Sequence, residues 1–161
     1  MITIWVPKRL VEIDLYNVAA RSPQALADLS ERSYAQRVDY AAQKIQLSGA
    51  KIVMLTGPSA SGKTTSAHCI AKALEKRGTP AHVISLDNFF KGAEFYPRLP
   101  DGTLDYENPD TLDLPLIKQC LRELSETGKT TLPVYDFSAE KRSDEAEPID
   151  LQGGVCLVEG I

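Results

Sequence analysis

A chain of 161 residues has the length of a single domain, enough to bury about 70% of the surface that its unfolded form exposes. Its composition, 43% hydrophobic and 25% charged, is that of an ordinary globular protein, and a formal charge of −4 offers no electrostatic footprint for nucleic acid or an anionic membrane. Cys69, Cys120 and Cys156 are odd in number and show no C-x-x-C spacing, which argues against structural disulfides and zinc and for a reducing compartment.

The chain begins with Met1-Ile2-Thr3-Ile4-Trp5-Val6, too short an apolar run for a signal peptide, and no stretch is long enough to span a bilayer. Cytoplasm is the expected location. Ile2, Ile4 and Val6 alternate with Thr3 and Trp5, and Val11, Ile13 and Leu15 alternate with Glu12 and Asp14. Both stretches read as short half-buried strands, with a turn at Pro7-Lys8-Arg9 between them. Ser22-Pro23 reads as a helix start, with Ser as cap and Pro in the first turn. Leu26, Leu29, Tyr34, Val38, Ala41 and Ile45 form the stripe of that helix, which ends near Ser48-Gly49. Residues 1–48 thus form an N-terminal extension whose helix is expected to pack on a core of residues 49–161, as layered folds require. A docking arm, or the remnant of a preceding domain, is the functional alternative.

Ile52-Val53-Met54-Leu55 is a short apolar run of the kind that fills a buried parallel strand. Gly57-Pro58-Ser59-Ala60-Ser61-Gly62-Lys63-Thr64 follows at once and fits G-x-x-x-x-G-K-[ST] at every fixed position. Ala67, Ile70, Ala71 and Leu74 then recur at helical spacing, and Gly78 stands where a helix C-terminus takes positive φ. The strand before and the helix after are the context that this motif needs. Gly57 and Gly62 let the backbone turn so that successive N–H groups converge on an anion, and the helix N-terminus adds partial positive charge. Lys63 can reach the β- and γ-phosphates, and the Thr64 hydroxyl can ligate Mg²⁺. The stretch reads as a phosphate-binding loop.

Ala81 to Leu86 is a second strand, and strand, helix, strand at this spacing makes a right-handed crossover with the two strands parallel. Asp87 then falls on the same edge of the sheet as the phosphate loop, the edge along which open α/β sheets bind ligands. On spacing alone two roles stay open for it: a base facing the γ-phosphate, or a cap on the turn after the strand.

Residues 91–112 are rich in turn formers, and loops of such length inside a compact domain are usually functional or disordered. Phe95, Tyr96 and Tyr106 alternate there with Lys91, Arg98 and Glu107, offering stacking surfaces and hydrogen-bonding groups together. Asp113 reads as the cap of a helix carrying Leu116, Ile117, Cys120, Leu121 and Leu124 on one face and closed by Gly128. Thr130 to Val134 is a strand in which Pro133 points to an edge position, Ser138 to Glu147 is a charged surface hairpin, and Val155 to Val158 is a third buried strand ending at Glu159. The fold class is therefore α/β, of the three-layer P-loop type with a mostly parallel sheet.

Five stretches in order carry a resemblance: Gly57 to Thr65, Ser85-Leu86-Asp87-Asn88-Phe89-Phe90, Tyr106-Glu107-Asn108-Pro109-Asp110, Pro133-Val134-Tyr135-Asp136-Phe137 and Val158-Glu159-Gly160-Ile161. Together they resemble the uridine kinase and phosphoribulokinase family of P-loop kinases, nearest to bacterial uridine-kinase-like nucleoside kinases, over residues 51–161. The resemblance implies phosphoryl transfer from Mg-ATP to a hydroxyl of a small molecule, a nucleoside first. It implies Asp87 as catalytic base beside Lys63, and cofactor contacts from Gly57, Ser59, Ala60, Ser61, Gly62, Lys63, Thr64 and Thr65. Thr64 and Glu159 would hold Mg²⁺, and Phe90, Tyr106, Tyr135 and Phe137 would line the acceptor pocket. Were the acceptor a sugar phosphate or a pantothenate-like alcohol, Arg98 or Arg142 would clamp its anion.

The chain departs from the family pattern twice. Pyrimidine-specific members carry a His shortly after the Tyr-Asp-Phe stretch, where this chain has Glu140, a carboxylate that accepts but cannot donate to a base carbonyl. Family members also continue past the third strand into further strands and an arginine-bearing lid, so β-strand Ile52 to Leu55 is expected to be an apolar edge. A fragment, one part of a split protein or a short natural form, and assembly with further copies, all stay open. The non-kinase alternative is a module that holds Mg-ATP with little turnover.

Overall fold

The computed structural model describes residues 12–58 and 60–160. The strand expected over Ile2 to Val6 lies outside these residues, as do Ser59 and Ile161. The chain divides into two compact units, Met1–Gly49 and Ala50–Ile161.

The first unit contains helices α1 (Ile13–Ala19) and α2 (Pro23–Ser48), which touch each other. The helix α1 corrects the strand expected around Ile13 and Leu15. Alternation over so few residues does not separate the two periods, and a strand needs a partner for its backbone groups. Here they are met locally, Tyr16 N–H donating to the Glu12 carbonyl at 3.0 Å and Ala20 N–H to Tyr16 at 2.8 Å. In α2, Pro23 occupies the first turn behind Ser22, and Gly49 ends the helix at φ +64°. Leu29, expected in its apolar stripe, is 61% exposed.

The second unit is built on three parallel strands, β1 (Ile52–Leu55), β2 (Ala81–Ser85) and β5 (Val155–Glu159), in the order β1-β5-β2. The last strand in the chain therefore inserts between the first two. Its position accounts for its composition, since every residue of Val155-Cys156-Leu157-Val158-Glu159 is buried. Within the described sheet β1 is an edge, with Met54 61% exposed. Cys156 and Val158 enter a core with Ile84, Phe89 and the α4 (Leu114–Thr127) residues Ile117, Cys120 and Leu124. Alternation puts Val155 and Leu157 on the other face, and α3 (Lys63–Lys76) lies against β2 and β5 with Ala67, Ile70, Ala71 and Leu74 buried. The core is thus helix, sheet, helix.

Asp113 caps α4 by accepting the Leu116 N–H at 3.1 Å, and Gly128 closes it at φ +76°. Beyond it β3 (Lys129–Asp136) and β4 (Lys141–Asp150) pair as an antiparallel ribbon of their own. With only two strands each has a free edge, which accommodates Pro133, and a register shift between Pro133 and Tyr135 re-aims the end of the ribbon. The charged face of β4 is solvated, as its sequence implies. No helix among the described residues is long and apolar enough to cross a membrane.

Candidate active site

The pairing register lines up Leu55, Glu159 and Ser85 in one row across the sheet. The residues that follow each of them emerge on one edge: the loop Thr56 to Gly62 after β1, Gly160 after β5, and the turn Leu86–Phe89 after β2. Three stretches that are remote in sequence converge there because the strands are parallel.

In the loop, Ala60 has φ +56° and Gly62 φ +80°, so the backbone twice enters the left-handed region before α3 begins at Lys63. For Ala60 this costs about 1 kcal/mol, strain of the sort that is kept where a loop must present its amides inward. Gly57 sits close to the loop's own side chains: a Cβ there would stand 3.1 Å from Ser61 Oγ, which would have to give way, and in ordinary contact at 3.7 Å with Lys63 Cγ. Lys63 Nζ donates to the Pro58 carbonyl at 3.0 Å, which folds the ammonium over the loop. Thr64 Oγ1 donates to Glu159 Oε2 at 2.9 Å, tying the first turn of α3 to the buried end of β5.

Asp87 completes this end. The cap of its turn is Ser85, whose hydroxyl accepts the Asp87 N–H at 3.3 Å. The Asp87 carboxylate therefore does not serve as that cap, and no hydrogen bond to it occurs among the described residues. Burial pushes its pKa above the ordinary carboxylate value, the negative charge of Glu159 adds to the rise, and the Lys63 ammonium opposes it. Asp87, Glu159 and Lys63 thus share one electrostatic neighbourhood.

The loop fits a nucleotide polyphosphate by its glycine-limited cradle and by the helix start behind it. The Thr64 hydroxyl and the Glu159 carboxylate are hard oxygen donors suited to Mg²⁺. No group of three or more His, Cys, Asp or Glu side chains that could hold a metal occurs among the described residues. A magnesium ion carried by phosphates and waters needs no such cage.

The other end is aromatic. Phe90 follows the Asp87 turn, and its ring stands 6.1 Å from Tyr96 and 5.7 Å from Tyr135. Tyr96 meets Tyr106 edge-on at 5.6 Å, and Tyr135 meets Phe137 at 5.0 Å. The Tyr96 and Tyr135 hydroxyls are 3.1 Å apart. Tyr106 and Phe137 remain exposed while Tyr96 and Tyr135 are buried, so the rings form a belt with both ends open to solvent. Expected members Phe90, Tyr106, Tyr135 and Phe137 are all in it, and so is Tyr96, one of the aromatic residues singled out in the long loop. Nothing in Phe95-Tyr96 tells which ring turns inward.

Arg142, considered as an anion clamp, lies against the end of the Asp87 turn, with its Nε buried and without a hydrogen-bond partner among the described residues. Its Nη1 pairs with Asp113 Oδ2 at 3.1 Å and its Nη2 lies 3.5 Å from the Phe90 carbonyl. The Phe89 carbonyl in turn accepts the Asp113 N–H at 2.9 Å, so the start of α4 and β4 brace the end of the Asp87 turn. Arg98 donates to the Gly102 carbonyl of its own loop at 2.7 Å. At the ribbon's tip Asp136 Oδ1 accepts the N–H groups of Ser138 and Ala139, and Glu140 takes φ +49° while its carbonyl accepts the Ala93 N–H at 3.1 Å. A surface depression of about 730 Å³ between α4 and the ribbon is lined by Gln119, Glu123, Lys129 and Asp150 and lies apart from this edge.

A loop of this kind before a helix, with two carboxylates at the carboxyl edge of a parallel sheet, is the arrangement of the P-loop fold class. The chain belongs to the phosphoribulokinase / uridine kinase family, whose model matches residues 52–161. A uridine kinase of Lactobacillus johnsonii is 33% identical over 115 residues, covering 68% of this chain and 51% of that protein. A uridine kinase of Borrelia turicatae is 36% identical over 112 residues, covering 69% of this chain and 51% of that protein. The solved structure of a possible uridine kinase from Bacillus stearothermophilus superposes with a TM-score of 0.61 over 78% of this chain and 70% of its own; at 22% identity it speaks for the fold alone. The chain spans about half the length of the curated relatives it matches.

Proposed function

We propose that the chain forms the catalytic core of a cytoplasmic kinase that transfers the γ-phosphoryl group of Mg-ATP to a hydroxyl of an unphosphorylated small molecule, with a nucleoside as the leading acceptor. The observation that carries this reading is Asp87, a carboxylate of raised pKa beside Glu159 and Lys63 that the turn itself does not use. As general base, Asp87 takes the proton of the acceptor hydroxyl while that oxygen bonds to the γ-phosphorus and ADP leaves. Lys63 and the loop amides bind the phosphates and steady the charge that moves toward ADP. Mg²⁺, held by Thr64 and Glu159, would supply further neutralisation of the phosphate oxygens.

Two observations favour an uncharged, ring-bearing acceptor. The belt of Phe90, Tyr96, Tyr106, Tyr135 and Phe137 supplies stacking faces and hydroxyls. Arg98 is engaged by its own loop, and Arg142 pairs through Nη1 with Asp113 and keeps its buried Nε without a partner among the described residues, so neither presents a free guanidinium fork to an anion. Uridine kinase is the name that the two relatives above carry, which is why a nucleoside leads. The test is ADP release with Mg-ATP, alone and with nucleosides, ribulose 5-phosphate and pantothenate. Release that depends on an unphosphorylated nucleoside supports the proposal; release only with ribulose 5-phosphate overturns the acceptor assignment.

A further inference from the structure

Phe90, Tyr106 and Tyr135 reach the aromatic belt from three separate stretches: the end of the Asp87 turn, the later part of the long loop, and β3. Tyr96 is the neighbour that all of them share, through ring contacts to Phe90 and Tyr106 and through its hydroxyl to Tyr135. It is 8% exposed, whereas the adjacent Phe95 is 67% exposed, so the short helical turn Ala93–Phe95 delivers the residue with a hydroxyl inward and leaves the plain hydrocarbon ring outside. A loop that merely needed an apolar plug would bury Phe95, which has no polar atom to satisfy.

We infer that Tyr96 is a positioning residue for the acceptor, its hydroxyl orienting that of Tyr135 and its ring setting the spacing of Phe90 and Tyr106. This rests on the kinase reading above and deepens its acceptor side. Two hydroxyls carry two protons; one lies between the oxygens at 3.1 Å, and the other is left to donate elsewhere. Holding the pair in one geometry fixes where that second donor and the remaining lone pairs face. Burial and the bond to Tyr135 both raise the Tyr96 pKa, and the neighbouring Glu140 charge acts in the same direction. The Tyr96 hydroxyl therefore keeps its proton at physiological pH and gives the wall a polar but uncharged group. Such a wall suits the hydroxyls or carbonyls of a neutral ring compound and brings no positive charge to a phosphate.

Tyr96→Phe keeps every ring contact and removes only the oxygen. We expect KM for the acceptor to rise about 5- to 10-fold, the usual weight of one hydrogen bond, with KM for ATP unchanged. Tyr135→Phe should act in the same direction and at least as strongly, and the double variant should be no worse than Tyr135→Phe alone, because Tyr96 acts through the Tyr135 hydroxyl. Calorimetric titration of the full 161-residue chain with uridine supplies the same comparison without turnover. A lowered melting temperature with acceptor KM and uridine affinity unchanged makes Tyr96 a packing residue and overturns the inference. Should Tyr96→Phe fail to fold, Tyr135→Phe with unaltered acceptor kinetics overturns it equally. A wild-type chain that neither binds nor phosphorylates any acceptor defeats the kinase reading and this inference together, whereas wild-type turnover matched by Tyr96→Phe defeats this inference alone.

Discussion

The two ends of the site are built on different principles. The phosphate end is a backbone device: its shape follows from Gly57, a left-handed Ala60 and Gly62 within one short loop, with Lys63 bonded back to the loop and Thr64 tied to Glu159 at the end of β5. The acceptor end is a side-chain device, in which rings from residues 90 to 137 find one another only after the loop, the ribbon and the Asp87 turn are in place. A backbone cradle reads any polyphosphate alike, whereas a wall of rings and hydroxyls is free to change with its ligand. Recognition of the donor is therefore local and generic, and recognition of the acceptor is distributed and particular.

Asp87 stands where the two ends meet, and its replacement should have the largest effect. Asp87→Asn is expected to depress transfer about 10²- to 10⁴-fold, the usual weight of a general base, while ATP binding measured by calorimetry stays near wild type. Undiminished turnover would remove Asp87 as base. Stability should move the other way. A carboxylate whose pKa is raised on folding binds its proton more tightly in the native state, so ionisation costs stability as pH climbs from the ordinary value of 3.8 through the raised one. The amide carries no such cost. Thermal melts should place Asp87→Asn above wild type at neutral pH, with the gap closing below pH 3.8.

Lys63→Ala tests the phosphate end by itself. Loss of one charged contact to the phosphates should weaken ATP binding about 10- to 100-fold. Uridine affinity, if the ends are as separate as their construction implies, should not follow. Equal loss of both ligands would mean that the ammonium also orders the acceptor wall, and the contrast between the ends would fail. Glu159→Gln has a subtler consequence. It removes the negative charge that helps to raise the Asp87 pKa, so the acid limb of the pH–rate profile should shift toward lower pH. A limb that stays in place would mean that burial alone sets the Asp87 pKa.

The same contrast decides what was legible beforehand. The apolar runs of β1, β2 and β5, the loop motif and the caps at Asp113, Gly128 and Gly49 are local signals, and each element stands where its residues put it. The strand order was not readable, because β5 lies about a hundred residues beyond β1 and nothing local says that it inserts between β1 and β2. The alternation around Ile13 and Leu15 is too brief to exclude a helix, and a helix is what forms there. At the site, Asp87 and Glu159 follow from strand ends. The inward turn of Tyr96 and the pairing of Arg142 with Asp113 do not, since both depend on how the ribbon and the long loop pack.

The smallest predicted effect lies at the tip of the ribbon, where Glu140 holds φ +49°. A side chain in that conformation pays a steric penalty that glycine escapes, though glycine also frees the unfolded chain. The difference should leave Glu140→Gly more stable by roughly 0.5–1 kcal/mol, a shift of a few degrees in the melt. The Glu140 carbonyl would still accept the Ala93 N–H, so the tie between ribbon and loop survives the change. What the substitution removes is a carboxylate in the electrostatic surroundings of Tyr96. If stability rises and acceptor affinity stays constant, the tip contributes only backbone and the wall ends at the rings. If acceptor affinity changes together with stability, the Glu140 carboxylate belongs to the acceptor end, and the position that resembles a histidine site in the family serves recognition here with an acceptor-only group.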